Sequence, residues 1–206
     1  MPNQISNKNH HRSLETRQKL LDAAEEVFVR DGYEGAQLAE IASVADRSKG
    51  ALYGHFETKE DLFLALFEHR STQNIERFSE RIEGLANRRQ RMEAFRDFYA
   101  ELVEDRTWPI LMLEFKLYAH RHPESKKRFR KAIRIATPID DDEQFEHMHG
   151  ILSAKHRTDV ELSVLALAPI LSGLMLESSF EPERMSKEAL GRLLRKLFDA
   201  LFSMSG

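Results

Sequence analysis

The stretch Gln37–Phe56, QLAEIASVADRSKGALYGHF, constrains the fold more than any other part of the chain. Leu38, Ile41, Ala42 and Ala45 recur at i, i+3, i+4 and i+7, the apolar face of one short helix. Asp46, Arg47 and Ser48 then break the pattern with residues that favour turns and helix N-caps. Leu52 and Phe56 lie four apart and give a second short helix its inward face. The other positions of that helix (Lys49, Ala51, Tyr53, His55) carry small groups, hydrogen-bonding groups and one fixed charge. Two such helices across a tight turn are either a piece of ordinary α-helical core or a helix-turn-helix, whose second helix enters the major groove of DNA. Periodicity alone leaves both readings open.

Bulk properties narrow the class. With 206 residues and 41% apolar content, the chain can build one or two packed domains. It contains no cysteine, which excludes disulfides and thiolate metal sites. The opening MPNQISNKNHHR is polar and lacks an apolar core, so no signal peptide is expected and the cytoplasm is the expected location. A net charge of −3 argues against a protein that coats nucleic acid, but not against a site-specific binder with a local basic face.

The run from Arg17 to Leu66 resembles the DNA-binding domain of the tetracycline-repressor (TetR) family of bacterial regulators. The likeness rests on an amphipathic first helix ending at Phe28 and Gly32-Tyr33, on Leu38–Ala42, on Ser48–Tyr53, on Phe56 and on Lys59–Leu62. It implies an all-α chain of about nine helices: an N-terminal three-helix helix-turn-helix domain and a C-terminal helical domain for ligand binding and dimerisation. The expected boundaries are a disordered tail at residues 1–13, the DNA-binding domain at 14–60 and the second domain at 61–206. In such families Lys8 and Arg12 of the tail would touch DNA, although a solvated tail is the plainer reading.

By position in the family motif, Gln37, Ser48, Tyr53, His55 and Lys59 are expected at DNA phosphates, which fix register, and Lys49, Gly50, Ala51 and Gly54 at base edges. Tyr53 has a packing role as its alternative. Lys59 has a physical reason of its own, since it follows Thr58 in the first turn of a helix whose N–H groups are unpaired; an ordinary surface lysine is the other reading. Three departures from the family pattern stand out. Asp46-Arg47 replaces the usual Gly-Val, which predicts a slightly strained turn and an Arg47 side chain turned outward, with a possible phosphate contact. Gln37 replaces a capping threonine, which predicts a weaker cap.

Beyond Asn87 the resemblance is one of architecture. The residues from Asn87 to Asp105 read as a helix, and Thr107 reads as the N-cap of the next, with Pro109 in its first turn. That helix, ILMLEFKLYAHRHP, is apolar nearly all round and is expected at the centre of its domain, with Glu114 as a buried carboxylate paired internally. Trp108, Met112, Phe115 and Tyr118 are the expected effector contacts because they are large and central; ordinary core is the alternative. The basic run Glu124–Arg134 is expected to be a solvated helix face. Glu146 and His149, with His147 nearby, have one metal-like E-x-x-H spacing; di-metal bundles need two, so neither a metal nor any other cofactor is expected. The charge-free part of Val160–Leu176 is too short for a bilayer and is interrupted by Pro169, so no membrane is expected.

By the resemblance, the last two helices pair with their copies in a homodimer, with Leu167, Leu171, Leu174, Leu190, Leu194, Leu197, Phe198 and Leu201 at the interface. The whole implies a non-enzymatic, sequence-specific regulator of transcription, expected to be a repressor. It would hold a palindromic double-stranded operator and release it when a small apolar or amphipathic effector binds. The alternative is a DNA-independent ligand-binding or protein-interaction module that keeps the fold.

Overall fold

The computed structural model describes residues 3–136 and 157–202. Among them there is no strand. The helices are α1 (Asn3–Gly35), α2 (Leu38–Val44), α3 (Lys49–His55), α4 (Lys59–Ile82), α5 (Arg88–Glu101), α6 (Trp108–Arg121), α7 (Pro123–Ala136), α8 (Arg157–Phe180) and α9 (Lys187–Leu201), with a 3-10 turn at Leu102–Glu104. The all-α expectation holds. Glu146, His147 and His149 lie outside the described residues.

The chain divides into two compact units. The first comprises Met1–Arg70 and Ala119–Ala132; the second comprises Ser71–Tyr118 and Ile133–Gly206. The first unit is therefore discontinuous in sequence, and α4, α6 and α7 each contribute to both.

In the first unit, α1 begins at Asn3, well ahead of the expected start at Leu14. Extending an existing helix is cheap because each added residue gains a hydrogen bond without a new nucleus. Gly32, at φ 73°, then breaks the helical path. The break turns Tyr33 inward, where its ring stacks 5.9 Å from Phe28 and meets Phe63 edge-on at 5.1 Å. Leu20, Leu21, Val27, Ile41, Leu52 and Leu62 complete a fully buried core around these rings. The start of α4 is fixed by the expected capping box: Asp61 N donates to Thr58 Oγ1 (3.1 Å) and Thr58 N donates to Asp61 Oδ2 (2.9 Å).

The second unit is built around aromatic rings. Phe95 lies 5.1 Å from Phe78, 5.0 Å from Tyr99 and 5.1 Å from Phe198, so α4, α5 and α9 share one core, to which α8 adds Val164 and Leu167. Asn87 caps α5 as its position suggests, accepting from Arg89 N at 2.8 Å. Thr107 directly precedes α6, as expected, and its carbonyl accepts from Leu111 N at 3.0 Å, but its hydroxyl is not the capping acceptor. Asp105 Oδ1, not Thr107, accepts from the N–H groups of Thr107 and Trp108, because a carboxylate two or three residues ahead reaches both amides.

Two other expectations fail here. Glu114 is on the exposed side of α6, and Leu117 is half exposed, so α6 is a one-sided helix and not an all-round core element. Helix α8 runs unbroken through Pro169, and Glu161–Phe180, 20 residues of mean hydropathy 1.6, is by length and composition long enough to cross a membrane. Its buried side packs on α9 through Leu171, Met175, Leu190 and Leu194, as the core helix of a packed domain does.

Candidate nucleic-acid interface

Helix α3 has only seven residues, too few to persist alone. Leu52 and Phe56 hold it by burial, and Ser48 begins it by accepting from Ala51 N at 3.1 Å. The Ser48 hydroxyl is thus an N-cap, a use that fixes where the helix starts. Pinning Leu52 and Phe56 inward leaves Lys49, Gly50, Tyr53 and Gly54 exposed on the opposite side, with Ala51 and His55 half-buried at its edges. Tyr53 is 54% exposed and so is not part of the core.

The turn between α2 and α3 is a Schellman motif. Arg47 N donates to Ala42 O (2.9 Å) and Asp46 N to Ser43 O (3.1 Å). The motif demands a left-handed residue, and Asp46 takes that conformation at φ 52°. The predicted strain is therefore located at one residue. Arg47 occupies the place after it, where an apolar side chain would pack back on the helix. It is half-buried and curls over its own turn, its Nη1 donating to Asp46 O at 2.7 Å. Arg47 thus stays out of the core, as the sequence suggests, with its guanidinium held against the backbone of the turn. Gln37 N-caps α2 without a side-chain hydrogen bond to it, the weak cap its identity suggested; its amide donates instead to Gly35 O at 3.4 Å.

Lys59 has an internal use. Its ammonium donates to Glu34 O (2.9 Å) and Ala36 O (3.0 Å) and lies 5.1 Å from the centre of the Tyr33 ring. Burial lowers its pKa, offset in part by the charge of Glu34. Lysine has three N–H donors, so two are spent on carbonyls at the C-terminal end of α1. A contact that sequence reasoning missed lies beside α3, where the Arg17 guanidinium sits over the Phe56 ring at 5.6 Å. Its only signal was a basic residue at the start of the motif.

The first turn of α4 has a partner the sequence did not announce. Ser125 of α7 donates to Glu60 Oε2 at 2.6 Å, Arg128 Nη1 lies 2.8 Å from Glu60 Oε1, and Arg128 also bonds Asp61. Phe129 meets Phe67 at 5.4 Å. Partial burial raises the Asp61 pKa, but hydrogen bonds from Thr58 and Arg128 outweigh it, and the net shift is downward.

The remaining candidates belong to the second unit. Met112 and Phe115 are buried and Trp108 and Tyr118 half-buried, with the Phe115 and Tyr118 rings 6.0 Å apart. Trp108, Met112 and Phe115 share one face of α6 by their spacing. Of the side chains expected between subunits, Leu167, Leu171, Leu190, Leu194 and Phe198 are buried within their own chain and have almost no surface to offer a partner. Periodicity found the apolar stripe, but it could not tell an inward stripe from an outward one. Leu174, Leu197 and Leu201 are half-buried.

Two measurements check this geometry. Replacing the left-handed Asp46 by glycine should raise stability by about 1 kcal/mol, seen as a higher urea midpoint. Asp61→Asn should destabilise at neutral pH, and the deficit should close in acid. The reason is that a carboxylate held below its ordinary 3.8 contributes stability above that value and loses it as pH falls through the lowered one. A deficit constant down to strong acid would refute the Arg128 and Thr58 contacts as its origin.

Residues 20–66 match the family of bacterial regulatory proteins described as the tetR family. The chain is 30% identical over 161 residues to the transcriptional repressor AcnR of Corynebacterium diphtheriae, covering 77% of this chain and 78% of that one. It is 32% identical over 175 residues to the transcriptional regulator CymR of Pseudomonas putida, covering 84% of each. In fold it is similar to the regulator FadR of Bacillus subtilis, solved in complex with stearoyl-CoA, with a TM-score of 0.66 at 22% identity over 90% of this chain and 97% of that one. The exposed face of a capped, inward-pinned α3 and this continuous likeness lead to one conclusion: the chain belongs to the TetR family and is a DNA-binding regulator of transcription.

Proposed function

We propose that the protein is a cytoplasmic homodimeric repressor that inserts α3 of each subunit into a major groove of a palindromic operator and is released by a small amphipathic effector. One observation carries the DNA-contact part. Gly50 and Gly54 lie within α3, yet nothing among the described residues needs them small: a Cβ at Gly50 would meet only Ser48 Oγ at 3.8 Å, and one at Gly54 would meet nothing within 4 Å. Glycine inside a helix costs about 0.5–1 kcal/mol relative to alanine. A partner that approaches the exposed backbone closely accounts for that cost, and Lys49 beside them supplies a donor suited to guanine.

The same logic redraws the subunit contact. On α8 the exposed Leu162, Leu165, Pro169, Gly173 and Phe180, with Leu176 half-buried, are spaced by three or four as one continuous stripe, with the exposed Ala168 beside it. Leu162 is 61% exposed and Phe180 73%; on α9, Leu193 and Leu197 extend the surface. A patch of this kind marks an interaction site, and a second copy of the chain is the partner that matches a two-fold operator. The half-buried Leu174, Leu197 and Leu201 remain at its margin.

A relative named as a repressor supports the sign of regulation, and the stearoyl-CoA complex of a similar fold supports an amphipathic effector, with Trp108, Met112, Phe115 and Tyr118 as its proposed contacts. An effector that prefers the released conformation by about 1–3 kcal/mol changes DNA affinity roughly 5–150-fold. Gln37, Arg47, Ser48, Tyr53, His55 and Lys59 are proposed at the phosphates, Lys59 through its third donor; Ala51 joins Lys49, Gly50 and Gly54 at base edges.

Selection from a random duplex library with the purified protein should enrich a palindrome. Gly50→Ala and Gly54→Ala should each raise stability by about 0.5–1 kcal/mol while weakening operator binding, and Lys49→Ala should relax base preference. Alanines that stabilise the fold and leave binding intact would sink the groove assignment. Leu165→Glu should yield folded monomers by sedimentation and lose operator affinity; a dimer that survives it would place the contact elsewhere.

A further inference from the structure

We infer that α7 is an accessory phosphate-binding ridge that grips the DNA backbone outside the half-site read by α3. The inference rests on the DNA-reading role proposed above. In a chain of net charge −3, the fourteen residues of α7 carry six basic side chains and one acid. Arg128 is spent on Glu60 and Asp61. Lys126, Lys127, Arg130 and Lys131 are all exposed, and none forms an ion pair among the described residues.

Their spacing makes the arrangement costly for the free protein. Lys126 with Arg130, and Lys127 with Lys131, are like charges at i and i+4, neighbours on one helix surface that repel each other. Within α7 only Glu124, one turn before Lys127, opposes that repulsion, whereas a polyanion would offset it along the whole row.

The occupant follows from two further facts. A basic amphipathic helix can lie on an anionic membrane, but only if its apolar face is free. Here Ser125, Phe129 and Ala132 are buried, with Phe129 against Phe67, so that face is already used. The second fact is position. α7 is anchored by Ser125 and Arg128 to Glu60 and Asp61, in the first turn of α4, and only three residues separate the end of α3 at His55 from the start of α4 at Lys59. Lys126 and Lys127 lie between those two anchor residues, and Arg130 and Lys131 lie one turn further on, about 5 Å along the helix. The ridge therefore belongs to the same compact unit as the reading helix, and double-stranded DNA is the polyanion that unit meets.

The test uses the full chain and the operator recovered by selection, in two duplexes. One stops at the outer edges of the palindrome; the other continues by about ten base pairs, one helical turn, on each side. Affinity is measured over a range of salt. Wild-type protein should show a steeper fall of log K with log salt on the long duplex than on the short one. In the Lys127→Gln/Arg130→Gln/Lys131→Gln variant the slope on the long duplex should drop by about 1 for each phosphate that is no longer neutralised. The slope on the short duplex and the selected sequence should be unchanged. Glutamine is a good helix former, and a matching thermal transition verifies the fold.

Coinciding slopes for variant and wild type on the long duplex overturn the ridge and leave the DNA reading intact; α7 is then a solvated face or the seat of the chain's own acidic run, Asp140–Glu143. An equal drop on both duplexes overturns the placement outside the half-site. Charge-dependent binding to vesicles of anionic lipid, with no difference between the duplexes, assigns the ridge to a membrane instead. If the wild-type protein selects no sequence at all, the DNA reading fails and the ridge fails with it, an outcome recognised before any variant is made.

Discussion

Burial of Leu52 and Phe56 is the constraint on which the reading head depends. A seven-residue helix has no cooperative stability of its own, and α3 carries two glycines besides. It exists as a helix because two side chains, one turn apart, are locked into a core already closed by Phe28, Tyr33 and Phe63. Locking that face decides which residues face outward, so the exposed set of α3 is a by-product of hydrophobic packing. The buried side of this short helix supplies its stability, and the opposite side is left free for a partner.

The surrounding contacts serve to keep that small core closed. The kink at Gly32 delivers Tyr33 to the rings, and where α1 ends just after it Lys59 donates to the carbonyls of Glu34 and Ala36. A lysine read as a DNA contact thus proves to be tied to the architecture first. The same holds for Ser48, whose hydroxyl sets the start of α3, and for Arg47, which folds over the turn that Asp46 makes.

Much of this was legible in the sequence because it is local. The caps at Ser48 and Thr58, the left-handed position at Asp46, the break at Gly32 and the inward pair Leu52/Phe56 all depend on residues within a turn of one another, where spacing is the whole signal. What escaped was non-local. Arg128 meets Asp61 across 67 residues of chain, and no periodicity links them. Leu167, Leu171, Leu190, Leu194 and Phe198 show the right rhythm for an interface, but rhythm defines a stripe and not which neighbour covers it. Glu114 looked buried because its helix is apolar, yet one polar residue in such a helix is enough to mark the side that stays wet.

The discontinuity of the first unit has a consequence for how the protein is made. The chain leaves that unit at Arg70 and returns only at Ala119–Ala132. During synthesis, at roughly 5–20 residues per second, the segment through Arg70 is complete before Ser125, Arg128 and Phe129 exist. Through that interval Glu60 and Asp61 face each other's charge without Arg128, and Phe67 lacks the ring that covers it. The nascent head is therefore an unfinished body whose last interlocking piece is supplied by the middle of the chain, and its maturation is tied to translation having passed well into the second unit.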